Sequence, residues 1–226
     1  MTATLLDFDG VLVDSEPVHL AAYNDVLSPY GLTIGEREYV ERYLSLDDAG
    51  VFRTVLATSG RTLREEEVRA LVRAKNPHFM ARFQQTFRPY AGARALIDRR
   101  ARRGPVGIVS GALESEIVFA LEKIGARTLV AFIVSAEKTP VSKPDPAPFL
   151  AALDELRRLG HQGPAVAVED SIGGVTSAKG ARLRCLAVAH SYSPDALRRA
   201  GADDVVTNLD ALTDSILDGA VVDGAL

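Results

Sequence analysis

The chain has 226 residues, 26 Lys and Arg against 30 Asp and Glu, a formal charge of −4, 47% hydrophobic residues and a mean hydropathy of +0.06. That is enough apolar material for a sizeable core, in one large domain or in a domain carrying a substantial insertion. Both signs of charge are interspersed, which argues against nucleic acid and membrane surfaces as partners, and no apolar run approaches the length of a transmembrane helix. The single cysteine, Cys185, excludes an intrachain disulfide and fits a reducing compartment. It lies in the apolar run Cys185-Leu186-Ala187-Val188-Ala189 and reads as a small core residue. No basic stretch precedes the first apolar residues and Asp7 arrives too early for a signal peptide, so a cytoplasmic location is expected.

In chain order, the first element is the apolar run Thr4–Leu6, which delivers Asp7-Phe8-Asp9-Gly10. Residues two apart share a face while a strand persists, so Asp7 and Asp9 point the same way, and Gly10 then allows a sharp turn. Two carboxylates at the end of a buried strand repel one another and lose hydration, a poor arrangement for stability. A divalent metal, or a division of labour between nucleophile and acid, would explain them. A calcium loop would carry such a tetrad too, but the further acids of an EF-hand are missing after Gly10.

Residues 15–89 change character. Val18–Leu27, Glu36–Leu44, Asp47–Leu56, Arg64–Ala74 and Asn76–Phe87 have helical spacing and few β-rich runs. The stretch returns at Arg88-Pro89-Tyr90-Ala91-Gly92, whose proline and glycine suit a crossing point. Short, wholly apolar runs then recur at Val106–Val109, Leu129–Val134, Ala165–Val168, Cys185–Ala189 and Val205–Val206. Helical stretches alternate with them at Ser115–Ile124, Pro146–Leu159, Gly173–Ala181 and Pro194–Ala200. Apolar runs alternating with helices indicate a parallel sheet covered on both faces. The expected fold is therefore α/β. A doubly wound, Rossmann-like parallel sheet core spans residues 1–14 and 90–226, and residues 15–89 form an inserted, mostly helical cap domain. Ligands bind such sheets at the carboxyl edge, where an insertion after strand one would place its cap. The tail from Asp218 to Gly224 reads as a frayed end.

Three later strand ends carry matching chemistry. Val109 runs into Ser110-Gly111-Ala112, where a hydroxyl and exposed N–H groups would cradle phosphate, or Ser110 would simply cap a helix. Lys143, in Ser142-Lys143-Pro144-Asp145-Pro146, would neutralise phosphate or be an ordinary loop lysine. Val168 runs into Glu169-Asp170-Ser171, where Asp170 or Ser171 could cap the next helix. With Asp7 and Asp9, these acids make a four-carboxylate oxygen site suited to Mg2+.

All four motifs fall at strand ends on one expected sheet edge, in order. That set resembles the haloacid dehalogenase-like superfamily of aspartate-dependent phosphohydrolases. The continuation from Gly10 through Ser15-Glu16-Pro17-Val18 to His19 resembles its beta-phosphoglucomutase and phosphoglycolate phosphatase branch. The resemblance implies a Mg2+-dependent phosphatase acting on a small phosphorylated metabolite such as a sugar phosphate. It implies that Asp7 attacks phosphorus and becomes an aspartyl-phosphate while Asp9 serves as general acid and base. Asp7, the Asp9 carbonyl, Glu169 and Asp170 would hold the metal. Ser110, Gly111, Ala112 and Lys143 would hold the phosphoryl group, and His19 matches a family histidine near the acid aspartate. A cap-helix histidine without a catalytic role is an equal reading of His19.

Two departures from the branch stand out. Beta-phosphoglucomutases carry a cap lysine and arginine for a second phosphate, where this chain aligns Leu44 and Asp48. That disfavours a phosphomutase, the main alternative, with a non-catalytic phosphometabolite-binding protein as a third reading. The cap cations Arg37, Arg42, Arg53, Lys75 and Arg82 read mostly as solvated helix faces. The second departure is Glu114, which stands where an arginine or asparagine is common. His78, His161 and His190 show no partner pattern. The expected partners are a small metabolite, with no nucleic acid and no membrane, and the expected state is a monomer, with oligomers left open.

Overall fold

The computed structural model describes residues 1–44 and 46–219. In chain order, β1 (Ala3–Leu6) is followed by the helices α1 (Glu16–Leu27), α2 (Glu36–Arg42), α3 (Asp48–Thr58), α4 (Glu65–Thr86) and α5 (Ala93–Ala101). The alternating part then runs β2 (Val106–Val109), α6 (Glu114–Lys123), β3 (Phe132–Val134), α7 (Ala147–Arg158), β4 (Ala165–Glu169) and α8 (Ile172–Gly180). It closes with β5 (Arg184–Val188), α9 (Pro194–Arg199), β6 (Asp204–Val206) and α10 (Asp214–Asp218). Two compact units result: Ser15–Arg88, and Met1–Asp14 together with the chain from Pro89 onward.

The second of these units is built on a six-stranded sheet in the order β3-β2-β1-β4-β5-β6, parallel at every pairing. The order reverses between β1 and β4, and right-handed crossovers then send the helices of the two halves to opposite faces. Covered on both faces, β1, β2 and all but the first residue of β4 and β5 are buried. This is the doubly wound, Rossmann-like α/β arrangement expected from the unbroken apolar runs. Cys185 is fully buried in the apolar cluster with Leu5, Phe149, Ala167 and Val175. Burial also pushes its thiol pKa up, so it is an inert core residue.

Some expected boundaries move. The apolar run at 129–134 yields a strand only from Phe132, because Arg127–Leu129 form a 3-10 turn. The two helical segments expected around 64–74 and 76–87 are one 22-residue helix, α4, which passes through Pro77. Proline there lacks one N–H, but Val68, Leu71, Phe79 and Phe83 are all buried along the helix, and their packing outweighs the missing bond. The expected frayed tail is wrong for its first residues. Asp218 accepts hydrogen bonds from Arg100 (2.7 Å) and Arg103, and Gly219 closes α10 in a left-handed turn. The rest of that tail, residues 220–224, lies outside the described residues. No helix among the described residues is long and apolar enough to cross a membrane.

The unit Ser15–Arg88 has its own core, formed by Tyr23, Leu27, Tyr39, Tyr43, Val51, Phe52, Leu56 and Leu71. Leu44 packs against it.

Candidate active site

Four loops at the carboxyl ends of neighbouring strands build the site. β1 hands over to Asp7, whose N–H still bonds Val168 O (2.9 Å), so Asp7 is held in ladder geometry. The chain then coils back: Leu12 N donates to Phe8 O, Gly10 N to Val13 O (both 2.9 Å), and Asp9 bridges Val13. Gly10 is the one residue type that this coil accepts. Its φ is +75°, and a Cβ on it would stand 1.9 Å from Asp170 Oδ2.

After β2, Ser110 N donates to Val134 O, and its Oγ accepts from Ala112 N (3.0 Å). Ser110 is therefore not the helix cap that it could have been: α6 starts four residues on, and Glu116 accepts from Leu113 N instead (3.1 Å). Ser110 and Ala112 are buried, and Gly111 is exposed beside them.

After β4, Ser171 caps α8, accepting from Gly174 N (3.0 Å). Capping thus falls to Ser171, and Asp170 is not needed for it. Glu169 is fully buried, in room that exists because residue 174 lacks a side chain: a Cβ there would lie 1.8 Å from Glu169 Oε2. Neither Gly174 nor Ser191, whose hydroxyl donates to Asp170 Oδ2, was singled out by the sequence reading. The Gly173-Gly174 pair, one residue past Glu169-Asp170-Ser171, is the available signal for the first.

Lys143 is no solvated loop lysine. Its ammonium donates to Asp7 Oδ1 (2.6 Å), Glu169 Oε1 (2.6 Å) and Val109 O (2.8 Å), so all three N–H groups are committed. Burial lowers the Lys143 pKa, but the two carboxylates outweigh it and hold it above its ordinary value. Asp7 shifts up, to about 8. Burial is the chief cause, reinforced by Glu169 and Asp9 and opposed by Lys143.

Carboxylate oxygens of Asp7, Glu169 and Asp170 lie within 4.8 Å of one another, all buried. One ammonium cannot balance three carboxylates, and a dry cluster with excess negative charge is stable only with a proton or a cation. Hard oxygen donors converging at this spacing fit Mg2+. The Asp9 side chain is not in that group. His19 is found in the other unit, where Nδ1 pairs with Lys75 Nζ (2.8 Å) and the ring stacks on Phe79.

Lys75 is a correction: it is 2% exposed rather than a solvated helix-face cation, and Asp48 Oδ1 accepts from it at 2.5 Å. Arg37, Arg42, Arg53 and Arg82 are exposed and pair with Glu41, Glu38, Glu65 and Asp25. Glu114 meets Lys138 at 3.5 Å.

The profile of the haloacid dehalogenase-like hydrolase family matches residues 4–188. Hexitol phosphatase B of Escherichia coli is 29% identical over 216 residues, covering 93% of this chain and 94% of that protein. The phosphoglycolate phosphatase of Rhodospirillum rubrum is 27% identical over 217 residues, covering 94% and 89%. Among solved structures, CbbY from Rhodobacter sphaeroides in complex with phosphate superposes with a TM-score of 0.82 at 25% identity, covering 96% of this chain and 99% of that one. The sheet order, the loop-borne acids and the profile agree, and the chain belongs to the haloacid dehalogenase-like hydrolase family.

Proposed function

We propose that this hydrolase is a Mg2+-dependent phosphatase of small phosphorylated metabolites, sugar phosphates first among them, working through an aspartyl-phosphate on Asp7. The observation that carries the reading is the buried Asp7–Lys143–Glu169–Asp170 cluster, which has more negative charge than its lysine can balance. The similarity to hexitol and phosphoglycolate phosphatases supports the substrate class.

The cation, when bound by Asp7, Glu169, Asp170 and the Asp9 carbonyl, supplies positive charge that keeps Asp7 ionised and screens it from the phosphate. Asp7 then attacks phosphorus. The P–O bond to the metabolite breaks, its electron pair stays on the leaving oxygen, and Asp9 delivers the proton that oxygen needs. Water attacks the aspartyl-phosphate next, giving its proton to Asp9 as the Asp7–phosphorus bond breaks. Lys143 fixes Asp7 Oδ1 and offsets the charge that gathers there. Ser110 and the N–H groups of Gly111 and Ala112 hold the phosphoryl oxygens. Residues 15–88 select the substrate, because the core groups address only phosphate and metal, which every substrate shares.

A phosphomutase reading finds little support in the helical unit Ser15–Arg88. Asp48 is acidic where a second phosphate would need a cation, and the buried Lys75 is already paired to it. The test is D7N with p-nitrophenyl phosphate and Mg2+. Turnover is expected to fall by more than about a thousandfold with the fold retained. Chelating the metal from the unaltered protein is expected to stop the reaction as well. Near-normal release of nitrophenol by D7N would overturn the role of Asp7. Glucose 6-phosphate formed from β-glucose 1-phosphate and a trace of the 1,6-bisphosphate, without phosphate release, would make it a mutase.

A further inference from the structure

The turn that carries Asp9 has a weak point. Its next residue is Gly10, the most permissive residue for the backbone, and an acid that must reach a leaving oxygen cannot drift. One tether comes from the loop that follows β5. His190, two residues past β5, places Nδ1 2.8 Å from the carbonyl oxygen of Gly10. A carbonyl only accepts, so Nδ1 carries the proton and the imidazole is the donor. The ring is held in turn: it stacks on Tyr90 with centroids 3.8 Å apart and planes 17° from parallel, and Tyr90 N donates to Leu12 O (3.0 Å). The His190 imidazole and the Tyr90 backbone N–H thus grip the turn from Gly10 to Leu12 at both ends, and the stacked rings tie the two grips together. The next residue, Ser191, donates to Asp170, the carboxylate against which Gly10 packs.

We propose that His190 is a positioning residue for the acid of the reaction, fixing the Gly10 carbonyl so that Asp9 stands within reach of the leaving oxygen. This rests on the phosphatase reading with Asp9 as the acid. His190 touches neither phosphate nor metal in that reading, and its influence passes through the backbone of the turn.

The test uses two aryl phosphates of similar shape. Phenolate is a poor leaving group that needs its proton, and 4-nitrophenolate is a good one that does not. The ratio kcat/KM covers the steps up to formation of the aspartyl-phosphate, so it isolates the leaving-group proton from the later attack of water. H190F keeps an aromatic ring against Tyr90 and loses the donor. H190N restores an N–H near the position of Nδ1.

The expected result is a fall of about tenfold or more in kcat/KM for phenyl phosphate with H190F, and under about twofold for p-nitrophenyl phosphate. H190N is expected to recover most of the loss. Equal losses on both substrates, no loss at all, or no recovery in H190N would overturn the positioning role. D9N, run alongside, separates the two claims. A steep leaving-group dependence in D9N with none in H190F rejects only His190. The absence of that dependence in D9N rejects Asp9 as the acid, and the positioning of an acid with it.

Discussion

Each unit of this protein sets a lysine largely out of water beside carboxylate, one acid in the helical unit and several in the sheet unit, and the two clusters could hardly differ more in balance. In the sheet unit, Lys143 meets Asp7 and Glu169 with Asp170 close by, and the cluster keeps excess negative charge. In the helical unit, Lys75 is matched by Asp48. Nδ1 of His19 lies 2.8 Å from it, and the Tyr23 ring faces it with its centroid 4.2 Å from Nζ. Tyr23 also donates to Asp48 at 2.5 Å, and burial, with Asp48 beside it, raises the Tyr23 pKa. A matched cluster satisfies itself and specifies packing, whereas an unmatched one is a site waiting for charge. Burial of a charged side chain does not by itself mark function; the sign of what is left over does.

Breaking the matched cluster tests that contrast most forcefully. K75M removes the ammonium and leaves the Asp48 carboxylate, whose side chain is 29% exposed, without its cation, at a cost of about 3 kcal/mol, the low end for buried pairs. In a chain of this length, that corresponds to a fall of roughly 6–12 °C in melting temperature. The double variant K75M/D48N, with neither charge, is expected to recover more than half of it. Calorimetry of the two single variants and the double variant measures the coupling. If K75M keeps its melting temperature but loses hydrolysis of p-nitrophenyl phosphate, Lys75 belongs to the chemistry and the contrast collapses.

A smaller effect follows from titrating the same pair. Burial raises the Asp48 pKa, but the charges of Lys75 and His19, with hydrogen bonds from Lys75 and Tyr23, outweigh it and leave Asp48 below its ordinary value. A carboxylate depressed in the folded state stabilises above its unfolded pKa, near 4, and loses that contribution as pH falls through the lower folded value. Because this is only the acid-sensitive part of the pairing energy, it is smaller than the K75M effect. The stability advantage of the unaltered chain over D48N is expected to hold from pH 6 to about 5 and to shrink by about pH 3. Urea unfolding at those pH values measures it, and an advantage that grew on acidification would reverse the sign assigned to Asp48.

Much of this was legible in the residues because the signals are short-range. Unbroken apolar runs announce a sheet covered on both faces, and an acid or serine directly after such a run announces a strand end. The pairing of Lys75 with Asp48 was not legible: 27 residues separate them, and helical spacing says only which face a lysine is on, not what folds against it. His190 failed to register for the same reason, since its partner carbonyl is 180 residues away. The continuity of α4 through Pro77 was hidden because local propensity favours a break and only the packing of Phe79 and Phe83 overrides it. Asp170 and Ser171 lay between: adjacent residues, both able to cap a helix, which no local rule could rank.

Those two neighbours supply the finest test of matched against unmatched charge. Ser171 Oγ accepts from Gly174 N at 3.0 Å and meets Glu169 Oε2 at 3.3 Å, so S171A removes a helix cap and is expected to cost about 1 kcal/mol. That is roughly 2–4 °C in melting temperature, with no dependence on added Mg2+. D170N acts in the opposite sense. Its carboxylate stands within 4.8 Å of those of Asp7 and Glu169, and making it neutral relieves repulsion in the metal-free protein. Metal-free D170N is therefore expected to melt no lower than the unaltered chain, while the Mg2+ concentration needed for half-maximal hydrolysis rises about tenfold or more. Thermal scans with and without Mg2+ read both variants together. If D170N instead lost stability in metal-free buffer as S171A does, Asp170 would be serving the fold, and the excess of negative charge at the strand ends would no longer mark a site.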